Sequence, residues 1–464
     1  MGTAAVADNL EAEQEELFRQ MIHDEVDKWV DELAVDVFDK DNQPTLMELS
    51  ELFTKTRQQF LGACLQRVIE QKYSYLLAQE YSPCPKCGKS CKSRRYSSKQ
   101  IVTMQGDSEL NRPWFYCTDC SLGFCPLDEV LEISRKQHQF DIQKKAVNLS
   151  ADVTFARASD IFKDLTGQHL SDHFMHATFD AVGTQARLED IIPSAAQIEK
   201  KIQRASTGNW RPILIVASDG AHLPTRPKAK RNEKRGKGQW QEAKGFRIYL
   251  LGDEHIIHIA SWHQIQNEAQ FGEDLALAAS RVDQQSVRIA LLGDGAGWLW
   301  KHMTSCFPKG REVLDYYHCA EHIHKAAKAQ YGEQSEKALQ WVESTICRLF
   351  YAEVSNVIGG LRRMEPKDNI AKEEIRKLIV YLTNNRERVH YQSDRKGGYP
   401  IGSGGIESAN KFICHTRMKR SGAWWVEETG NEMLRIRCAI YNGTYNKVFE
   451  RYKQASLPKT TNFF

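Results

Sequence analysis

No stretch of this 464-residue chain is apolar for long enough to span a membrane, and Met1-Gly-Thr-Ala-Ala-Val6 contains no basic segment followed by an apolar one. Those two absences argue against an integral membrane helix and a secretory leader. Val6 also stands where the myristoylation pattern wants Ser or Thr. The expectation is a cytoplasmic protein. Net charge is small as well, +3, but it is unevenly spread. Residues 1–60 hold 15 Asp/Glu against 5 Lys/Arg, a net of −10, which leaves +13 on the remainder. A basic body suits a nucleic-acid partner; an acidic helical leader is ordinary.

Cysteine is present but concentrated. Six of the twelve cysteines lie between Cys84 and Cys125. In a chain without an export signal, such clustering favours metal over disulfides. Cys84-Pro-Lys-Cys87 and Cys117-Thr-Asp-Cys120 are two Cys-x-x-Cys knuckles, 29 residues apart, with strand-like segments between them. Four thiolates at this spacing suit one structural Zn²⁺ in a zinc ribbon. Cys91 and Cys125 lie close enough in sequence to compete as ligands.

Residues 8–80 carry apolar side chains at helical spacing and read as two or three helices broken near Asn42-Gln-Pro44. Residues 135–185 are helical again. Ala156–Leu165, the turn Thr166-Gly-Gln-His, and a second helix opened by Ser171 form a helix-turn-helix pattern. From Arg211 the pattern changes to strands at 212–217, 245–251, 256–262, 287–292 and 312–314, with a helix at 268–281. Three strands, a helix, then further strands is the order of an RNase H-like core. Residues 320–395 read as an inserted helical block, and one last helix is expected from about Val426 to Tyr452.

Two apolar strands run into acids: Ile213–Ala217 into Ser218-Asp219-Gly220, and Val287–Leu292 into Gly293-Asp294-Gly295. In open α/β sheets, ligands sit beyond the carboxyl ends of strands. Each pair read singly is also an ordinary Asp-Gly turn. Glu407 follows Gly402-Ser-Gly-Gly-Ile, in the first turn of an expected helix that also presents Lys411, Arg417, Lys419 and Arg420. Asp219, Asp294 and Glu407 would be hard oxygen ligands of the kind Mg²⁺ prefers, and two such ions support in-line phosphoryl transfer. The segment 226–247 reads as a basic loop beside the first acid, with Lys228, Lys230, Arg231, Lys234, Arg235 and Lys237 as candidate phosphate contacts. Trp424 and Trp425 are adjacent; core packing is the ordinary reading, base stacking the sharper one.

Taken together, Ser218-Asp219-Gly220, Gly293-Asp294-Gly295-Ala-Gly-Trp298, Leu314-Asp-Tyr-Tyr-His318 and Gly402-Ser-Gly-Gly-Ile-Glu407-Ser resemble a DDE transposase. The similarity is to the Kra-type family of bacterial insertion sequences and, through Asp315-x-x-His318, to the wider Mutator-like superfamily. It covers about 150–450. The resemblance implies a catalytic and metal-binding triad of Asp219, Asp294 and Glu407, with Asp315 and His318 as active-site neighbours. It implies two Mg²⁺ (or Mn²⁺) ions beside the one structural Zn²⁺, double-stranded DNA as partner (transposon ends and target), a homodimer or higher oligomer on DNA, and a nucleoid-associated location.

The expected fold class is a multidomain α+β and α/β chain. Its parts are an acidic helical region (1–80), a zinc ribbon (81–130), a helix-turn-helix-like DNA-binding region (131–205), a first part of the RNase H-like core (206–319), a helical insertion (320–396), and a second part with the Glu and a C-terminal helix (397–464). The expected function is end binding, metal-dependent DNA cleavage and strand transfer. Three rivals are a metal-dependent nuclease or resolvase that cuts without joining, a domesticated inactive DNA-binding protein, and a zinc-ribbon transcription factor. The last leaves the α/β half unexplained.

Overall fold

A computed structural model describes residues 2–38, 43–206, 210–229, 236–252, 255–333 and 335–457, with side chains from Gln14 onward. It is mixed α/β with two sheets, and the chain divides into two units, Met1–Gln185 with Phe449–Phe464, and Ala186–Val448.

In the first unit the helical spacing of the acidic region becomes α1 (Gly2–Val37) and α2 (Leu46–Lys72), followed by the short α3 (Ser74–Leu77). Thr45 starts α2 with a capping box: its hydroxyl accepts from the Glu48 N–H, and the Glu48 carboxylate accepts from the Thr45 N–H. Trp29 stacks on Phe60 with centroids 4.8 Å apart, and Arg67 pairs with Glu25 at 3.0 Å, which holds α1 to α2. Four antiparallel strands follow in chain order: β1 (Tyr81–Pro83), β2 (Ser90–Thr103), β3 (Gly106–Cys117) and β4 (Leu122–Phe124). After α4 (Pro126–Val130) come α5 (Phe140–Asp152), α6 (Phe155–Thr166) and α7 (Asp172–Gln185). Thr154 caps the start of α6, and Gly167 ends it in the left-handed region at φ 77°. Ile142, Ala146, Ala158, Phe162 and Met175 form the buried core of this trio.

The second unit opens with α8 (Leu188–Ile191) and α9 (Ala195–Ala205). Its sheet consists of β5 (Ile213–Thr225), β6 (Gln239–Leu251), β7 (Ile256–Ile265), β8 (Arg288–Gly293) and β9 (Arg311–Leu314), in the order β7-β6-β5-β8-β9. β5, β6 and β7 pair antiparallel, whereas β8 and β9 run parallel to β5. The parallel crossings use α10 (Glu268–Ser280) and α11 (Gly297–Cys306). The central strands bury Leu214, Ile215, Val216, Ala290, Leu291 and Leu292 completely, as a doubly covered sheet requires. A helical block follows, with α12 (Tyr316–Tyr331), α13 (Glu336–Phe350), α14 (Val354–Arg363), α15 (Asn369–Asn385) and α16 (Tyr391–Lys396). Then come α17 (Gly404–Asn410), a π-helical turn (Lys411–His415), α18 (Thr416–Met418) and α19 (Glu427–Asn442).

Two sequence expectations need correction here. The single last helix is two, because Gly443 adopts φ 73° and ends α19; α20 (Tyr445–Ser456) starts afresh. From Phe449 on, α20 belongs to the first unit, where the Tyr452 hydroxyl donates to Gln143 at 2.6 Å. The expected loop at 226–247 is also shorter, since β6 begins at Gln239 and carries Lys244 and Arg247 as strand residues.

Asn442 fastens α19 to the sheet. Its carbonyl accepts the Ser261 N–H at 2.8 Å, and its amide donates to the Ile191 and Ser261 carbonyls at 3.0 Å each. Asn442→Leu keeps the size but leaves the Ser261 N–H and carbonyl unpaired, while the Ile191 carbonyl keeps the Thr444 hydroxyl as donor. It should cost about 3 kcal/mol, since each such group costs about 1–3 kcal/mol. Urea unfolding measures this, and an unchanged midpoint would refute it.

Candidate active site and metal centre

The acids assemble where β5 and β8 part. Ala217 and Leu292 are the last residues paired between these parallel strands. Asp219 and Asp294 each lie two residues further on, so they share a register position and a face of the sheet. β8 stops at Gly293, as expected, but β5 does not stop at Asp219: it continues to Thr225 against β6. Asp219 is therefore a mid-strand residue, opened on one side because its parallel neighbour has ended. Gly295 needs its glycine, at φ 106° and with Tyr381 2.8 Å from where a Cβ would stand. The Ala296 N–H donates to the Asp294 carboxylate at 2.9 Å, and the Tyr381 hydroxyl of α15 donates to the Asp294 carbonyl at 2.9 Å. The helical block thus helps to fix the second acid.

Glu407 lies exposed in the first turn of α17, where the Ser403 hydroxyl donates to its carboxylate at 2.9 Å. The buried Arg247 guanidinium of β6 donates to the Gly405 carbonyl, and Gly405 leaves room for the Tyr249 ring, so α17 seats on the sheet. Burial above all, with the negative charges of Asp294 and Glu407, raises the Asp219 carboxyl to about 6 against the opposing Gly220 N–H and His318. The three acids therefore share one electrostatic environment.

What holds Asp219 in place was not visible in the sequence. The Asn410 amide donates to one Asp219 oxygen at 2.7 Å, the Gly220 N–H donates to the other at 2.7 Å, and the Asn410 carbonyl lies 2.7 Å from His263 Nε2. His263 is wholly buried, and burial lowers its pKa to about 4, so it is neutral. Because the Asn410 oxygen can only accept, Nε2 carries the proton. Gly245 lies opposite both Asp219 and His263 in the β5-β6-β7 register. A Cβ there would meet the His263 ring at 2.1 Å, so the bare backbone of β6 lets the imidazole reach Asn410. A polar Asn on the helix face otherwise formed by Ile406, Ala409 and Ile413 was the available clue.

The other site residues divide. His318, on α12, is half-exposed, with Nδ1 4.0 Å from the Asp315 carboxylate. Asp315 is fully buried and spends its oxygens on the His318 N–H, at 2.6 Å, and the Ser403 N–H. Expected as an active-site neighbour, it ties the start of α12 to the start of α17. Arg417 needs correction. It is 4% exposed and stacked over Trp425 at 5.1 Å, and burial lowers its pKa to about 10, so it is not the exposed cation that the sequence suggests. Lys411, Lys419, Arg420, Lys228 and Lys237 are exposed. Lys228 lies 3.9 Å from Glu428. Lys230, Arg231, Lys234 and Arg235 lie outside the described residues. Trp425 is half-buried and donates to the Met418 carbonyl at 3.1 Å; Trp424 is 39% exposed.

In the first unit, Cys84, Cys87, Cys117 and Cys120 bring their sulfurs within 4.8 Å of one another and could hold a zinc ion. Among the described residues this is the one group of three or more His, Cys, Asp or Glu found so placed. The Cys120 N–H pulls the Cys117 thiol down to about 6, while Cys87 pushes Cys120 up to about 12. A zinc ion would hold all four as thiolates. Phe115, Leu122 and Phe124 wrap the cluster. Cys91, the expected competitor, is buried beside it and points its thiol at the Lys89 carbonyl at 3.4 Å.

Two outcomes follow from this geometry. Metal analysis of the purified chain should find one zinc, lost in Cys117→Ser and kept in Cys125→Ser; equal zinc in both would refute the assignment of the quartet. Gly245→Ala should push His263 off Asn410 and destabilise the second unit by about 1–3 kcal/mol, the usual cost of overpacking. Thermal or urea unfolding reads it, and wild-type stability would show that the ring is not confined.

No curated protein matches the sequence. One solved structure, the Drosophila P element transposase strand transfer complex, is similar over 70% of this chain and 83% of that chain, with 9% identity and a TM-score of 0.26. Among the described residues, no helix is long and apolar enough to cross a membrane. The model of UPF0236, an uncharacterised protein family, matches residues 41–455, and the chain belongs to that family.

Proposed function

We propose that this protein is a DDE-type DNA transposase of the Kra-like kind that its motifs resemble, with an RNase H-like core, a helical insertion and an N-terminal zinc ribbon. The observation that carries the reading is the matching position of Asp219 and Asp294, each two residues beyond the last β5–β8 pair, with Glu407 near enough to raise the Asp219 carboxyl. The sheet order, with β5 flanked by one antiparallel and one parallel neighbour, supports the reading as an RNase H-like core. A half-buried carboxylate among like charges is a site that a divalent cation relieves, so the residues fit Mg²⁺ or Mn²⁺.

Bound there, two ions would polarise the scissile phosphate and stabilise the leaving oxygen. The chain's own part is positioning. Asn410 and the Gly220 N–H orient Asp219, Ser403 orients Glu407, and Asp315 holds the start of α12 against that of α17. In the reaction, water attacks phosphorus and the 3′ oxygen leaves. The freed 3′-hydroxyl then attacks a target phosphodiester, so one bond forms as another breaks and no covalent enzyme intermediate is needed. Lys228, Lys237, Lys411, Lys419 and Arg420 are exposed cations suited to DNA backbone.

The test is cleavage and joining of duplexes carrying the element's own ends. Asp219→Asn, Asp294→Asn and Glu407→Gln should each lower both steps by at least about a hundredfold, the scale of lost transition-state stabilisation, and should spare end binding. Asp219 takes up a proton as pH falls through about 6, so activity should fall in that window, and more Mn²⁺ should move the midpoint to lower pH. Cutting without joining would favour a nuclease or resolvase. Full activity in any one variant would remove that residue from the triad.

A further inference from the structure

The outer face of the four-stranded sheet carries an arrangement that the metal cluster does not use. On β3, Phe115 and Cys117 are fully buried toward the thiols, so Trp114 and Tyr116 face the other way. A register shift in β2 between Ser93 and Arg95 marks a bulge there. It sets Arg94 and Arg95 against Trp114 instead of turning Arg95 inward. The Arg95 guanidinium lies over the Trp114 ring, 5.1 Å from its centroid, and Trp114 stacks with Tyr116 at 5.8 Å. One strand over, Lys92 pairs with Tyr81 in register and places its ammonium 5.9 Å from that ring. Gly123 of β4 lies across from Tyr116, and a Cβ there would stand 2.6 Å from the indole, so Trp114 rests on bare backbone.

Lys92, Arg94 and Arg95 are exposed, and none makes an ion pair among the described residues. The neighbouring acid Asp119 is already paired with Lys89 at 2.7 Å. Tyr81 is 54% exposed. Rings and uncompensated cations therefore alternate across one flat face. An ordinary solvated face would mix acids among these cations, and an apolar docking face would omit them. A ligand that matches both features has evenly spaced negative charges and flat, unpaired π faces between them.

From this we infer that the outer face of β1–β4 binds single-stranded DNA. Lys92, Arg94 and Arg95 meet its phosphates, while Tyr81 and the Arg95–Trp114 stack receive unpaired bases. A duplex offers the phosphates but hides the base faces, so the site prefers unpaired strands. The inference does not rest on the carboxylate chemistry, and its test includes no cleavage step.

The probe is a fluorescein-labelled 15-nucleotide oligo(dT), titrated with the full-length, zinc-loaded chain in Mg²⁺-free buffer at several salt concentrations. A mixed-sequence duplex of the same length and poly-glutamate serve as competitors. Replacing Lys92, Arg94 and Arg95 together with Ala should flatten the slope of log K against log[salt] by about two units, at about 0.7 per phosphate contact. Tyr81→Ala should weaken oligo(dT) binding by about tenfold without changing the slope. Trp114→Ala should do the same, and Trp114→Phe should restore binding. Zinc content reports folding, and Tyr81→Ala answers the question if Trp114→Ala loses its metal. An unchanged affinity and slope in the triple variant, with zinc retained, overturns the inference. So does competition by duplex or poly-glutamate as strong as that by oligo(dT).

Discussion

The second unit is organised around keeping one carboxylate charged in a place that resists charge. Asp219 is half-buried and faces two other acids, and both effects favour its neutral form. Its two oxygens are held by a backbone N–H and by the Asn410 amide, neither of which can itself titrate. Holding Asn410 requires a hydrogen-bond donor behind it, and His263 supplies one through Nε2–H, on a ring that burial keeps neutral. Placing the imidazole there requires a strand residue with no side chain, hence Gly245. Strand pairing, a glycine, a histidine tautomer and a helix asparagine thus converge on the orientation of a single acid.

Asp315 shows what the same functional group does when its surroundings finish the job. It also accepts two N–H groups, one on each oxygen, but it is fully buried where Asp219 is half-buried, so its carboxylate is closed off from solvent. The thiol quartet is closed in the same sense. Its sulfurs face one another, and aromatic and aliphatic side chains wrap them, as a structural metal site requires. Glu407 of the second unit, by contrast, is exposed.

Much of this was legible because it rests on local pattern. The two knuckles, the strands that end near Asp219 and Asp294, and the glycine-rich entry to the helix of Glu407 follow from spacing and turn chemistry. The misses were tertiary. Asp-Gly at 219–220 looks like a turn, yet pairing with β6 carries the strand through it. The pattern of the helix after Glu407 points to its cations, whereas the side chain that reaches Asp219 is the neutral Asn410. Arg417 lies about two turns beyond Asn410 and so returns to the buried face, where Trp425 covers it. A cation count along a helix cannot distinguish that residue from the exposed Lys419 and Arg420.

The π-helical turn at Lys411–His415 completes this picture. Widening the helix by a residue there disrupts the regular carbonyl pairing just after Asn410. The carbonyls of Phe412 and Ile413 accept from Arg437 of α19, which is 1% exposed and stacked over Phe412 at 4.9 Å. A buried guanidinium is unfavourable unless its donors are matched, and unpaired carbonyls are unfavourable unless something donates to them. Each offsets the other, and together they clamp the irregular turn against α19. The helix that presents Glu407 and Asn410 is thereby fixed from behind by a residue that touches neither. That places part of the site's precision in α19, where the sequence shows only an arginine in an ordinary amphipathic helix.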